Sequence, residues 1–132
     1  MRADGNDQYR EVVGDFAYFV DDPYIETALQ RGPIDDAIDV VIIGGGFGGM
    51  LAAARLREAG IHDFRIIEKG GDFGGTWYWN RYPGASCDIE SYVYFPLLEK
   101  TKFTPQHKYT NAAETLNYCH VIAQNYELYA NA

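Results

Sequence analysis

The apolar positions fall into runs with two different periods. Residues 38–43, IDVVII, are apolar except for Asp39 and end at Gly44. A near-continuous Ile/Val run of this length predicts a strand buried on both faces, as in parallel sheets. Residues 50–59 are rich in Ala, Leu, Arg and Glu and stop at Gly60, which predicts a helix. Residues 63–68, DFRIIE, predict a second short strand. Strand, glycine turn, helix and strand within about thirty residues form a βαβ unit, whose crossover is right-handed almost without exception. A glycine-rich loop begins at Gly70 and leads into the densest aromatic stretch of the chain, from Trp77 to Phe95. The last predicted element is a helix over 112–129. Asn111 is its N-cap, Glu114 stands at the capping-box position, and Leu116, Cys119, Ile122, Ala123 and Tyr126 share one face.

Composition narrows the class. The 132 residues suffice for one core but not for two full domains. The net charge of −8 is concentrated in residues 1–37, which hold nine acidic against three basic side chains. That segment reads as an acidic N-terminal extension with one or two short helices, and 38–132 as the dinucleotide-binding part. With no basic patch to offset the acidity, nucleic acid is excluded as a partner. Residues 40–54 are uncharged but contain five glycines and fall short of the roughly 18–20 residues needed to span a bilayer. Cys87 and Cys119 form no CxxC pair, and the start of the chain lacks an apolar signal region. A cytoplasmic protein with reduced thiols is expected.

Candidate chemistry centres on Gly44-Gly45-Gly46-Phe47-Gly48-Gly49, a GxGxxG turn between strand and helix. In such a turn Gly44 permits the tight exit from the strand. Gly46 leaves room for a pyrophosphate, and Gly49 lets the helix pack closely on the sheet. The helix start offers N–H groups and a positive dipole end to the diphosphate. Glu68, nineteen residues after Gly49, ends the second strand. A carboxylate there accepts hydrogen bonds from ribose hydroxyls and repels a 2′-phosphate, favouring FAD or NAD over NADP. A plain βαβ turn with an incidental surface glutamate is the competing reading.

The stretch GGTWYWNRYPGASCDIESYVY, residues 74–94, resembles the FAD-binding segment of type I Baeyer–Villiger monooxygenases, which are class B flavoprotein monooxygenases. The resemblance extends over about residues 38–129. It implies a Rossmann-like FAD-binding fold and NADPH-dependent flavin chemistry. The resemblance further implies that O2 would form a C4a-peroxyflavin, which would convert a ketone to an ester or oxidise a heteroatom. By match to the family motif, Thr76, Trp77, Tyr78 and Trp79 line the flavin, Tyr94 contacts the cofactor further along, and Phe47 belongs to the glycine turn. Ser86 and Cys87 lie near the NADP end. Asp88 is the catalytic candidate: it holds an active-site arginine, as a carboxylate can through a bidentate pair. Many members carry Arg where this chain has Ser86, a departure that bears on the nicotinamide contacts. The same residues also admit ordinary readings, with the aromatics as core and Asp88 as a turn or helix cap.

Several family features are absent from these 132 residues. The FxGxxxHxxxW fingerprint does not occur, no second GxGxxG is present, and no arginine follows Arg81 to pair with Asp88. The expectation is the N-terminal portion of a longer monooxygenase, inactive alone, whose partners are a small ketone or heteroatom substrate, O2 and the remainder of the enzyme. A non-catalytic nucleotide-binding or docking fragment is the alternative. A flavin disulfide oxidoreductase is rejected, because Trp77 and Tyr78 stand where that class needs a redox Cys pair. No metal site is expected.

Overall fold

The computed structural model describes residues 14–26 and 32–132. The chain divides into two compact units, Met1–Pro33 and Ile34–Ala132. In the first, Gly14–Phe19 forms a 3-10 helix, and the Asp22 carboxylate accepts the Tyr24 N–H at 2.9 Å. Any helix expected within 1–13 or 27–31 lies outside the described residues.

The second unit is a mixed α/β layer. Strands β1 (Val40–Ile43) and β2 (Phe64–Ile67) pair in parallel, in register from Val40↔Phe64 to Ile43↔Ile67. Both are a little shorter than the apolar pattern predicted. The period-2 alternation places Phe64 and Ile66 in the core, with Val40 and Ile42 packed beside them. The expectation of burial on both faces fails: Val41, Ile43 and Ile67 face outward, and Ile43 is 83% exposed. Within the second unit no element covers this second face.

Helix α1 (Phe47–Glu58) joins the strands and starts three residues before the helix-forming run. Its first turn contains Gly48 and Gly49, both poor helix formers, of which Gly49 sits where no Cβ fits. Met50, Ala53 and Ala54 are fully buried against the sheet. The two alanines bring the helix axis close to the strands.

The aromatic stretch, to which the sequence pattern assigns no element, contains short helices α2 (Thr76–Trp79) and α3 (Ser91–Tyr94), followed by α4 (Leu98–Thr101). Each is a single turn whose stability comes from packing, since isolated turns do not persist in water. Helix α5 (Ala112–Asn125) is capped as predicted: Asn111 Oδ1 accepts the Glu114 N–H at 2.8 Å. The reciprocal half of the capping box is not made. Glu114 instead accepts the Gln106 N–H at 2.8 Å, tying down the preceding loop. The buried face includes Tyr118, which the spacing missed. Its ring stacks on Phe95 at 4.7 Å and its hydroxyl donates to the Pro96 carbonyl.

Helix α5 ends before residue 129 because Glu127 takes a left-handed φ of +51° and a 3-10 turn, Leu128–Asn131, follows. Arg57 of α1 donates to the Glu127 carbonyl (2.9 Å) and to Asn131 Oδ1 (2.7 Å). Asn131 Nδ2 in turn donates to the Phe64 carbonyl of β2 at 2.8 Å. No helix of the described residues is long and apolar enough to cross a membrane.

The 3-10 turn also reaches Asp72, whose carboxylate accepts the Tyr129 hydroxyl at 3.0 Å. His120 Nε2 lies 3.3 Å from the same carboxylate without hydrogen-bond alignment, so their attraction requires a protonated ring. Burial, then the Asp72 bond and charge, push Tyr129 up to about 12. Burial also pushes the Cys119 thiol up to about 12. Folding thus favours the protonated form of both groups. Their contribution is fully present below the unfolded pKa values and is lost as pH rises towards about 12. Thermal melts across the alkaline range should show falling stability, and Tyr129→Phe should make that decline shallower.

Candidate functional site

The glycine turn is built by close backbone contacts. Gly44 leaves β1 at φ +98°, and its N–H donates to the Ile67 carbonyl at 2.8 Å. A Cβ on Gly49 would lie 1.9 Å from the Gly44 carbonyl oxygen and 3.3 Å from Ile42 Cγ2. Only glycine fits there, for the helix-packing reason read from the sequence. Gly46 is the N-cap of α1. Its bare Cα meets a second glycine loop: a Cβ on Gly75 would stand 2.7 Å from Gly46 Cα. The Gly74 N–H donates to the Gly45 carbonyl at 3.0 Å, pinning the two loops together. The open positions are Gly44 and Gly48, where an added Cβ would meet no protein atom within 4 Å. No side chain caps α1 and no acidic residue stands in its first turn. The positive end of the helix is therefore left for an external anion.

Glu68 follows β2 and lies beside this turn, half-buried. Its Oε2 accepts the Gly45 N–H and its Oε1 accepts the Gly70 N–H at 2.7 Å. Each carboxylate oxygen retains a further lone pair, so both can still accept hydroxyl donors.

The aromatic residues separate into two groups. Phe47, Trp77 and Tyr94 meet: Phe47 lies edge-on to Tyr94 at 5.4 Å, and Trp77 Nε1 donates to the Tyr94 hydroxyl at 3.1 Å. They join the start of α1 to α2 and α3. Tyr78 and Trp79 pack on each other at 5.3 Å, with Lys69 Nζ 5.5 Å from the Trp79 ring centre. Thr76 is exposed at the first position of α2.

Ser86, Cys87 and Asp88 lie beyond these groups. Ser86 forms an isolated antiparallel bridge with Asn111, and the Cys87 N–H donates to the Thr110 carbonyl at 2.9 Å. Cys87 is buried, whereas Asp88 is exposed and has no partner among the described residues. A cavity of about 380 Å³ contains Trp77 and Ser86 in its wall together with Arg81, Tyr82, Asn111 and Leu116. None of the glycine-turn residues lines it. Sequence reasoning passed over Arg81 and Asn111 at this wall; Asn111 had a signal only as a helix cap. Among the described residues no cluster of His, Cys, Asp and Glu could hold a metal.

The sequence model of the NAD(P)-binding Rossmann-like domain family matches residues 42–117, more than half of the chain. The chain belongs to this family. Within the NAD(P)-binding Rossmann-like domains, the match runs from the end of β1 into α5 and so contains every site residue described above. A Baeyer–Villiger monooxygenase of Streptomyces coelicolor is 47% identical over 131 residues, covering 99% of this chain and 22% of that enzyme. The polycyclic ketone monooxygenase of Thermothelomyces thermophila superposes with a TM-score of 0.79 at 41% identity, over 89% of this chain and 20% of that one. OTEMO, solved in complex with FAD and NADP, superposes with a TM-score of 0.67 at 35% identity, over 72% of this chain and 18% of that one. The chain thus spans about a fifth of the length of the relatives it matches.

The geometry at Gly49 makes a direct prediction. Gly49→Ala must separate α1 from the Gly44 carbonyl and should destabilise the fold by about 3 kcal/mol or more, measurable by urea unfolding. Gly48→Ala, placed in open space, should leave stability nearly unchanged.

Proposed function

We propose that the chain is the FAD-binding portion of an NADPH- and O2-dependent flavoprotein monooxygenase of the Baeyer–Villiger type. The observation that carries this reading is the uncapped α1 N-terminus, open at Gly44 and Gly48 and flanked by the Glu68 carboxylate. These residues fit an adenine dinucleotide. The amides at the start of α1 hold the diphosphate, and Glu68 accepts the ribose hydroxyls while repelling a 2′-phosphate. The 47% identity to a Baeyer–Villiger monooxygenase and the likeness to OTEMO with FAD and NADP favour FAD over NAD at this turn.

In the complete enzyme, one atom of O2 enters a ketone or heteroatom substrate. NADPH supplies the two electrons that carry the other atom to water. FAD, when bound, supplies the redox chemistry linking NADPH to O2. The residues of this chain bind and orient. Trp77, hydrogen-bonded to Tyr94, forms a wall fixed against Phe47. Thr76 and Trp79 flank it on the same turn, with Ser86 and Cys87 towards the NADP end. Exposed Asp88, which meets no arginine among the described residues, orients a guanidinium supplied from outside them. It holds that positive charge where negative charge develops on oxygen.

The purified chain should take up one equivalent of FAD and turn yellow, with binding followed by flavin fluorescence. Glu68→Ala should weaken binding about 10- to 100-fold through lost charge-assisted hydrogen bonds. A folded, colourless chain that takes up no FAD overturns the reading. Supplied with FAD, NADPH and a cyclic ketone, the chain alone should form no ester; ester formation would show that a second dinucleotide site and the added guanidinium are unnecessary.

A further inference from the structure

Tyr78 is placed by the sequence resemblance against the flavin, yet it is 3% exposed and packs against the glycine-rich loop at Gly70, Gly71 and Gly74. Its hydroxyl accepts the Gly71 N–H at 3.0 Å. Its ring occupies the space beside Gly70, where an added Cβ would come within 2.9 Å of Cδ1 and Cε1. On the other side, a Cβ on Gly74 would meet Tyr78 Cβ at 3.0 Å. The Arg81 guanidinium covers the ring at 4.5 Å, and Arg81 Nε donates to the Tyr78 carbonyl at 2.8 Å. The tyrosine is thus held from behind and itself holds the 70–71 turn.

That turn bears directly on Glu68, because the Gly70 N–H is one of the two amides bound to its carboxylate. The other, the Gly45 N–H, comes from the glycine turn. We infer that Tyr78 is a positioning residue for nucleotide binding: it fixes the Gly70–Gly71 turn, whose Gly70 amide, with that of Gly45, sets the Glu68 carboxylate for a ribose. This inference rests on the proposed nucleotide site for its ligand, but its structural half concerns the ligand-free chain. An acceptor already locked in orientation loses less freedom on binding, so locking raises affinity without adding a contact to the ligand.

The test compares the full wild-type chain with Tyr78→Phe, which keeps the ring and removes the hydroxyl. Affinities for ADP and FAD are measured together with amide hydrogen exchange in the absence of nucleotide. The loss of one positioning hydrogen bond should weaken ADP and FAD alike, by about fivefold. Exchange should accelerate at Gly45, Gly70 and Gly71 while α5 keeps its protection. Weakened FAD binding with unchanged ADP binding would place Tyr78 on the flavin and overturn the inference. Unchanged exchange at the three glycines would also overturn it, as would equal acceleration in α5, the mark of a merely structural role. A wild-type chain that binds neither nucleotide removes the proposed function, and the exchange rates then decide alone whether Tyr78 holds the turn.

Discussion

Two stretches of bare backbone lie against each other at the centre of this unit. Gly46 and Gly75 approach so closely that neither a side chain nor a water layer separates them, and the Gly74 N–H to Gly45 carbonyl bond locks the contact. The start of α1 is thereby fixed relative to the start of α2, and with it the aromatic residues that follow. Gly49 supplies the matching constraint on the strand side, passing beneath the Gly44 carbonyl. Each contact excludes a Cβ, so these glycines exchange conformational entropy in the unfolded chain for proximity in the folded one.

The aromatic residues fill the space that this close approach defines. Phe95 stacks on Tyr118 in the interior with half-buried Phe103 tilted against both, while Phe47, Trp77 and Tyr94 form the layer nearest the glycine turn. Large rigid rings suit one-turn helices such as α2 and α3, since each buries much apolar area for little lost side-chain freedom. Polar atoms inside this layer are paired with one another: Trp77 with Tyr94, Ser91 with Thr110, and Thr110 with Thr115. Such pairing permits hydroxyls and an indole N–H in a dry interior.

The parts of the fold governed by local rules were legible in the sequence. Both strands, the glycine turn, the Asn111 cap and the acidic residue after β2 follow from period, backbone freedom and spacing, and the structure brings Glu68 to the glycine turn. What remained hidden depends on contacts between distant segments. Nothing local marks Glu114 as a partner for Gln106 rather than for Asn111. Tyr78 was read with its neighbours in one motif; its burial depends on the Gly70–Gly71 turn, seven and eight residues earlier. Adjacent aromatics on a single helical turn point in different directions, so a motif alone does not say which ones face a ligand.

The side chain of Asn131 has a consequence for sheet growth. Val40 and Gly44 donate to the carbonyls of Asp63 and Ile67, so alternation turns the Phe64 carbonyl towards the opposite edge of β2, where the Asn131 amide meets it. At Phe64 this edge is therefore plugged rather than bare. An incoming strand must substitute its own N–H for a side-chain amide, trading one hydrogen bond for another with little net gain at that position. Such a plug resists indiscriminate edge-to-edge pairing between molecules while still yielding to a strand that brings apolar side chains along with its amides.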